Sequence, residues 1–596
     1  MSQALQRALQ FMQSGRPAEA ISQLEIVLKT CPDDVEALHL RGIARGHLGQ
    51  FEAGAVDLEY AAEHHTQPHA VLSNLGNLHR RAGDLARAVE AYRAALARAP
   101  DFIDARLNLA ISLLDLGRSA DAEAEFEAVL SRQPEHSAAL NGLGNLYSRS
   151  GDNTAAIDFY TRAIEANPRP AMPYVNRGGA RRSERRYTES LADLDTACRL
   201  APGLAEGHFQ RGHTLRMLGR SFEAREAYWE ASRLTPDRAD IHRDLAGLLW
   251  ELGEGRRATA ALDAVLERRP DPELLYTKAR VLFRTGYVDD AAAALDSALA
   301  RAPGHAAARA LRGEISCRRG AFDDALNDLR RALDIVDGAD FAIRHQLVEA
   351  CLSAGEADEA IKYLQVDPPA EHLQKHVALQ ATAWRCAGDE RYGYLYDFDR
   401  LTAKVFIDTP PGFPSLDAFN TALGERIERL HRTTAQPLEQ TLFGGTQSPG
   451  RLWDDGDPVI QALARALEAA ARRFVESLPD DLEHPFLSRK SSHLQLAGAW
   501  SVRLRSGGGH VDHIHPAGWI SASYYVHVPD TVADGVRAGW LRLGAPGLPG
   551  LDLPAERYIL PEAGAAIFFP SYMWHGVEPF ESRDVRVTAP FDLLPQ

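Results

Sequence analysis

At 596 residues the chain is too long for one hydrophobic core and divides into several domains, or into a repeat array with a domain attached. Its 82 acidic against 66 basic side chains, a formal net charge of -16, and the lack of a long basic run exclude a general nucleic-acid binder and suit an uncharged peptide or a basic protein as partner. Five cysteines without CxxC spacing exclude a disulfide framework and a cysteine zinc site, and with no apolar run of 18 residues and no basic leader the expectation is a cytoplasmic protein that does not engage a membrane.

The first elements repeat. Prolines stand at Pro100, Pro134, Pro168, Pro202, Pro236 and Pro270, each 34 residues after the last, with near misses at Pro32, Pro68 and Pro303. Glycines keep the same beat at Gly83, Gly117, Gly151, Gly219 and Gly253, with Arg185 in the remaining slot, where two antiparallel helices are expected to turn and approach closely. Within Ile103 to His136 the apolar residues Leu107, Ala110, Leu113 and Leu114 stripe one helix, and Ala122, Phe126 and Val129 a second, before the proline ends the pair. About ten or eleven such units run from residue 4 to roughly 365. This period resembles the tetratricopeptide repeat, and the resemblance implies a right-handed superhelix whose groove receives a protein or peptide segment. The alternative is a spacer or a dimerisation surface. Basic pairs such as Arg181-Arg182 and Arg185-Arg186 read as solvated helix faces.

The expected domains are a repeat array over 1–365, capping helices and a linker over 366–408, and a separate domain over 409–596, with the proline-rich "DTPPGFPS", Asp408 to Ser415, at the junction. The last of these opens with two helical patterns, "SLDAFNTALGERIERLH" and "DPVIQALARALEAAARRFVESL". The period then switches to two in "WSVRLR", "WISASYYVHVP", "GWLRLG", "AAIFF" and "VRVTAPFDLL". Many short strands in about a hundred residues predict a sandwich or a double-sheet jelly roll with flanking helices. The fold class is therefore multidomain: an all-α solenoid followed by a β domain.

One stretch concentrates chemistry. "GGGHVDHIHPAGW", residues 507–519, places three histidines and an aspartate between His510 and His515, and "FFPSYMWHGVEPF" adds His575. On a strand, residues i and i+2 share a face, so His510 with Asp512, or His513 with His515, offers two ligands to one metal, and His575 completes three points of an octahedron. The two-histidine-one-carboxylate version marks non-haem iron(II) oxygenases, whereas His513, His515 and His575 form an all-histidine triad. Arg586 follows in "RDVRVTAPFDL" with Thr588 on the same face, an arrangement that binds a carboxylate through the guanidinium fork and the hydroxyl.

The stretches "FPSLDAFNTAL", "PLEQTLFGGTQSPGRLW", "HPFL", "AWSVRLRSGGGHVDHIHPAGWISASYYVHVPD" and "IFFPSYMWHGVEPFESRDVRVT" together resemble the iron(II) and 2-oxoglutarate dependent dioxygenases, in the group often joined to tetratricopeptide repeats. The resemblance covers the C-terminal domain as a double-stranded β-helix and implies Fe(II), 2-oxoglutarate and O2 as cofactors. It implies His513 and His575 at iron with His515 as partner, Arg586 and Thr588 at the distal carboxylate of 2-oxoglutarate, and the Tyr525 hydroxyl at the same carboxylate or in the core. The pair His510 and Asp512 stays open, should a bulge at the three glycines shift the register. "FGGTQS", Phe443 to Ser448, reads as a glycine turn with polar side chains, either at the mouth of the site or purely structural. The expected function is hydroxylation of a protein or peptide recruited by the repeats. The rivals are a non-catalytic interaction scaffold with a silent or ligand-sensing barrel, and a zinc-dependent enzyme of related shape.

Overall fold

The computed structural model describes residues 3–431, 433, 440–448, 451–533 and 537–596, so part of the "PLEQTLFGGTQSPGRLW" stretch lies outside the described residues. The chain divides into two compact units, 1–211 and 212–596. Between Gln3 and Tyr363 the helices follow one another as eleven antiparallel pairs. Among the described residues no helix is long and apolar enough to cross a membrane. All five cysteines are unpaired.

In the first unit the pairs run from Gln3–Gln13 with Pro17–Thr30 to Met172–Ser183 with Tyr187–Leu200. The turn glycines have left-handed backbones, φ 83° at Gly83, 76° at Gly117 and 87° at Gly151. Arg185 occupies the same slot and the same conformation, φ 63°. A Cβ at Gly83, Gly117 or Gly151 would meet nothing within 4 Å, so these residues serve the dihedral angle alone. The close approach expected at the turns occurs instead inside the first helices of several pairs. A Cβ on Gly76 would lie 2.5 Å from the Tyr92 ring, on Gly142 2.3 Å from Phe126, on Gly144 2.4 Å from Tyr160 and on Gly178 2.9 Å from Leu194. Each missing side chain is thus the space that a large residue of a neighbouring helix fills. Arg181 also departs from expectation: it is no solvated face but pairs with the nearly buried Asp193 at 2.7 Å, which Arg177 also grips.

In the second unit the pairs continue to Phe341–Ser353 with Ala357–Tyr363, and a further helix, Leu373–Ala387, follows and ends at Gly388 in a left-handed C-cap. Ten strands are described: β1 (Ala403–Phe406), β2 (Leu442–Gln447), β3 (Leu494–Ala499), β4 (Val502–His513), β5 (Ile520–His527), β6 (Leu541–Leu543), β7 (Arg557–Ile559), β8 (Ala565–Pro570), β9 (His575–Val577) and β10 (Arg586–Pro595). All pairings are antiparallel, in the order β1-β8-β5-β10-β4-β9-β6-β7, with β2 also on β4 and β3 also on β10. The "FGGTQS" stretch is therefore strand β2 rather than a turn. Its glycines answer a bulge between Phe443 and Gly445, where a Cβ on Gly445 would meet the Arg503 carbonyl at 2.4 Å and one on Gly444 the Gly508 Cα at 2.7 Å.

The helices Leu416–Leu430 and Pro458–Ser477 bury Phe419, Leu423, Leu463, Leu467 and Phe474 in the same core as the sheet. That core is continuous from Ala310 in the repeats to Leu593 in β10. The helix Leu373–Ala387 and Tyr396 beyond it also fix β9. Trp574, beside His575, donates its indole N–H to the Thr382 hydroxyl at 3.0 Å, and its backbone N–H donates to the Tyr396 hydroxyl at 3.0 Å. Arg385 donates to the Gly544 and Pro554 carbonyls at 2.7 and 2.9 Å.

Candidate metal centre and anion pocket

β4 ends at His513, and β9 begins at His575 directly opposite it. The chain then leaves the sheet and returns His515 to the same point. The three imidazoles gather with ring centroids 4.2 Å (His513–His575), 4.9 Å (His515–His575) and 5.2 Å (His513–His515) apart. One ring nitrogen from each lies within 4.8 Å of the others.

The outer partners of these rings decide where their protons sit. His513 Nδ1 donates to the Val511 carbonyl at 2.8 Å, His575 Nδ1 to the Met573 carbonyl at 3.0 Å, and His515 Nδ1 to Asp592 Oδ1 at 2.6 Å. A neutral imidazole has one N–H, so the Nε2 atoms of His513 and His575 carry lone pairs, and the Nδ1 bond to Asp592 turns His515 Nε2 toward them. The Nε2 atoms of His513 and His515 face each other at 3.3 Å. Burial, reinforced by the neighbouring imidazoles, pushes His513 down to about 3 and His575 well below the usual histidine range, so these rings stay neutral. Three ring nitrogens that converge in this way are arranged to share one cation at their centre. The donor set therefore fits a divalent metal with imidazole preference, such as iron(II) or zinc.

Strict alternation along β4 would put His510 and Asp512 on one face and His513 on the other. The structure does otherwise, because the β4–β9 register shifts between His510 and His513. His510 lies in the cavity with His513, ring centroids 5.9 Å apart, while Asp512 does not line it. The Asp512 carboxylate instead accepts two bonds from Arg542, both 2.8 Å, and Arg542 also reaches Glu578. The open pair is thus split: one member is in the cavity and the other is held in an ion pair. The glycine of "WHG" makes room for that ion pair, since a Cβ on Gly576 would lie 2.4 Å from Asp512 Oδ1.

The histidines open into a cavity of about 300 Å³ that also takes in Tyr525, Arg586 and Thr588. Thr588 pairs with Tyr525 across β10 and β5, and the Arg586 guanidinium lies 5.1 Å from the centre of the Tyr525 ring. Arg586 is 2% exposed and has no carboxylate partner among the described residues; its Nε and the Tyr525 hydroxyl are buried without hydrogen bonds. Burial pushes the Arg586 guanidinium down and the Tyr525 phenol up from their ordinary ranges. A buried cation with unsatisfied donors, beside a phenol and a threonine hydroxyl, fits a small carboxylate. Sequence reasoning missed Asp592, and reached Gln447 only as part of the "FGGTQS" stretch offered for the mouth of the site. Asp592 was legible, since residues 586, 588, 590 and 592 alternate onto one face of β10 and all four line the cavity. Gln447, whose buried Oε1 lacks a partner, enters only because β2 is a strand.

Residues 498–592 match the family described as "Putative 2OG-Fe(II) oxygenase". Tetratricopeptide-repeat families match residues 5–71, 39–103, 107–169 and 276–340, and residues 79–131, 215–281 and 318–382. Protein FlbA of Caulobacter vibrioides is 30% identical over 254 residues, which is 41% of this chain and 42% of FlbA, so the chain spans less than half of that relative. Tetratricopeptide repeat protein 36 of Bos taurus is 35% identical over 126 residues, 20% of this chain and 67% of that protein. Among solved structures, yeast Tom70 covers 64% of the chain, and 95% of its own, at 16% identity and a TM-score of 0.37. The chain belongs to the tetratricopeptide-repeat proteins, and its C-terminal region carries a domain matched by the 2OG-Fe(II) oxygenase family.

Proposed function

We propose that this protein is an iron(II) and 2-oxoglutarate dependent oxygenase that hydroxylates a protein or peptide brought to it by the repeats. The observation that carries the reading is the gathering, in one cavity, of three histidine rings with a buried arginine that has no carboxylate partner among the described residues. When bound, iron with 2-oxoglutarate and O2 supplies the oxidising power for hydroxylation of a C–H bond, with succinate and carbon dioxide as co-products.

In this reading His513, His515 and His575 hold the metal. Arg586 takes the distal carboxylate of the cosubstrate through its fork, while the Thr588 and Tyr525 hydroxyls add bonds to the same group. The apolar walls, Leu541, Phe569 and Val577, keep water from the reacting centre. Asp512 stays with Arg542 and braces β9. The repeats raise the local concentration of their cargo at the cavity. Arg586 also separates this reading from a zinc enzyme, which has no use for a buried cation there.

The test is succinate release from 2-oxoglutarate by purified protein with Fe(II) and ascorbate. Activity that disappears in His575→Ala and Arg586→Ala supports the proposal; the same activity in both variants as in the parent defeats it. Absence of Fe(II) and 2-oxoglutarate binding by calorimetry would leave the interaction scaffold.

A further inference from the structure

Asp592 and its partners go beyond a ligand list. Asp592 Oδ1 accepts from His515 Nδ1 at 2.6 Å and from the Ser521 hydroxyl at 2.7 Å, and Ser521 in turn lies 2.9 Å from the Ser571 hydroxyl. Ser521 and Ser571 are fully buried, and Asp592 is 9% exposed. A Cβ on Gly518 would lie 2.4 Å from Ser571 Oγ and 3.3 Å from the Asp592 Cβ, so the network closes only around a glycine.

The other two rings of the triad donate to backbone carbonyls of their own chain segment, two residues back. Those bonds come with the local backbone. His515 has no such carbonyl, and among the described residues its Nδ1 is met only by side chains from β5 and β10. Nothing in its own segment fixes its tautomer. The nearest alternative acceptor is the Ser521 hydroxyl, 3.0 Å from His515 Nδ1. Without Asp592 the proton is free to move to Nε2, where it would occupy the ligand position.

We infer that Asp592 is the positioning residue of the triad: it fixes the His515 tautomer so that Nε2 faces the metal, and it places a carboxylate one imidazole away from an all-histidine ligand set. The inference rests on the metal reading above, but its first consequence concerns the metal-free protein. A carboxylate that orients a histidine ligand raises the basicity of the ring, and loss of such a partner typically weakens metal binding 10- to 100-fold.

The experiment compares the parent with Asp592→Ala in a Ser521→Ala background, so that the serine does not take over as acceptor, and with Asp592→Asn, which keeps an acceptor oxygen in place. Two quantities are read: the tautomer of His515 from imidazole ¹⁵N shifts in metal-free protein, and the affinity and visible absorption of bound Co(II). The double variant is expected to lose the Nδ1–H form, to bind Co(II) about 10- to 100-fold more weakly, and to change its absorption envelope. Asp592→Asn is expected to keep the tautomer and to stay within about threefold, well inside that loss. A double variant with the parent tautomer and affinity overturns the inference, as does one that loses thermal stability while binding Co(II) as before. If the parent binds no metal yet shows the Nδ1–H tautomer and loses it in the double variant, the metal reading fails and the positioning role stands.

Discussion

The repeats and the sheet each hold a trio of side chains that satisfies the same distance test for a metal. In the sheet it is His513, His515 and His575; in the second helix pair it is Glu36, His39 and His65, also with ligand atoms within 4.8 Å. Their protons are arranged in opposite ways. His65 Nδ1 accepts the Gln67 backbone N–H at 2.9 Å, so its own proton is on Nε2, which donates to Glu36 at 3.0 Å. A metal between His65 and Glu36 would have to stand where that proton already is. His39 contributes no opening either, since its Nε2 already meets the Asn74 amide at 2.9 Å and its Nδ1 is buried without a partner. In the sheet every proton points away from the centre; in the repeats one points into it. The second hydrogen bond of each ring, rather than the proximity of the rings, distinguishes a ligand set from an ion pair.

The largest expected effect tests that distinction directly. Titration with Co(II) or Zn(II), followed by calorimetry, is expected to give one equivalent per chain. His575→Ala should remove it, lowering affinity by about 100-fold or more, the upper end of what even an outer partner costs. His39→Ala and His65→Ala should leave it unchanged. A second equivalent that vanishes in His65→Ala would break the comparison, because it would mean that the repeat trio surrenders its proton to a metal.

Glycine substitutions sharpen it next. Gly144→Ala drives a methyl group into the Tyr160 ring, and Gly576→Ala drives one into the Asp512 carboxylate and the His510 carbonyl. Both overpack a filled space and should cost roughly 1–3 kcal/mol in chemical denaturation. Only Gly576→Ala should also weaken metal binding, since it displaces the strand that carries His575. Equal metal affinity in the two variants would show that β9 tolerates displacement without moving its histidine.

Acid acts on the buried histidines of both clusters in the same direction, and in the repeats the test falls on His39. Burial, partly offset by Glu36, lowers the pKa of His39 below the ordinary histidine value. Its folded pKa therefore lies under its unfolded one, near 6.5. The contribution is fully present above that pH, and as pH falls below about 6.5 the unfolded chain takes up the proton first and stability is lost. Thermal melts of metal-free protein between pH 7.5 and 5 should fall less steeply in His39→Gln than in the parent. A parallel slope would mean that the His39 ring charges in the folded state.

What the sequence disclosed follows the same divide. In the repeats each structural demand recurs every 34 residues, so the helix pairs, the turn glycines and their one exception are visible by counting. The packing glycines keep the same beat at Gly42, Gly76, Gly144, Gly178 and Gly212, with Ala110 in the remaining slot, but were passed over because the close approach was looked for at the turns. In the sheet each position occurs once. The strands richest in β-branched and aromatic residues, β5, β8 and β10, were legible, whereas β1, β2, β3, β7 and β9 are short or glycine-bearing and take their conformation from their neighbours. The site histidines were named by type and spacing. Which face His510 took was not, because a register shift between strands distant in sequence leaves no mark on the local alternation.

The smallest expected effect comes from that one exception in the repeats. Arg185 holds φ 63° in a slot where Gly83, Gly117, Gly151, Gly219 and Gly253 hold φ between 68° and 87°. A left-handed backbone costs a residue with a side chain roughly 1–2 kcal/mol, and glycine gives back about 0.5–1 kcal/mol through its greater freedom in the unfolded chain. Arg185→Gly should therefore stabilise the protein by up to about 1 kcal/mol, read as a higher denaturant midpoint with an unchanged slope. Metal affinity should not move, since the substitution lies in the first unit and the triad in the second. A lower midpoint would mean that the Arg185 side chain contributes more through its contacts than its backbone costs, and that the 34-residue beat is kept at this turn by the side chain rather than by the dihedral.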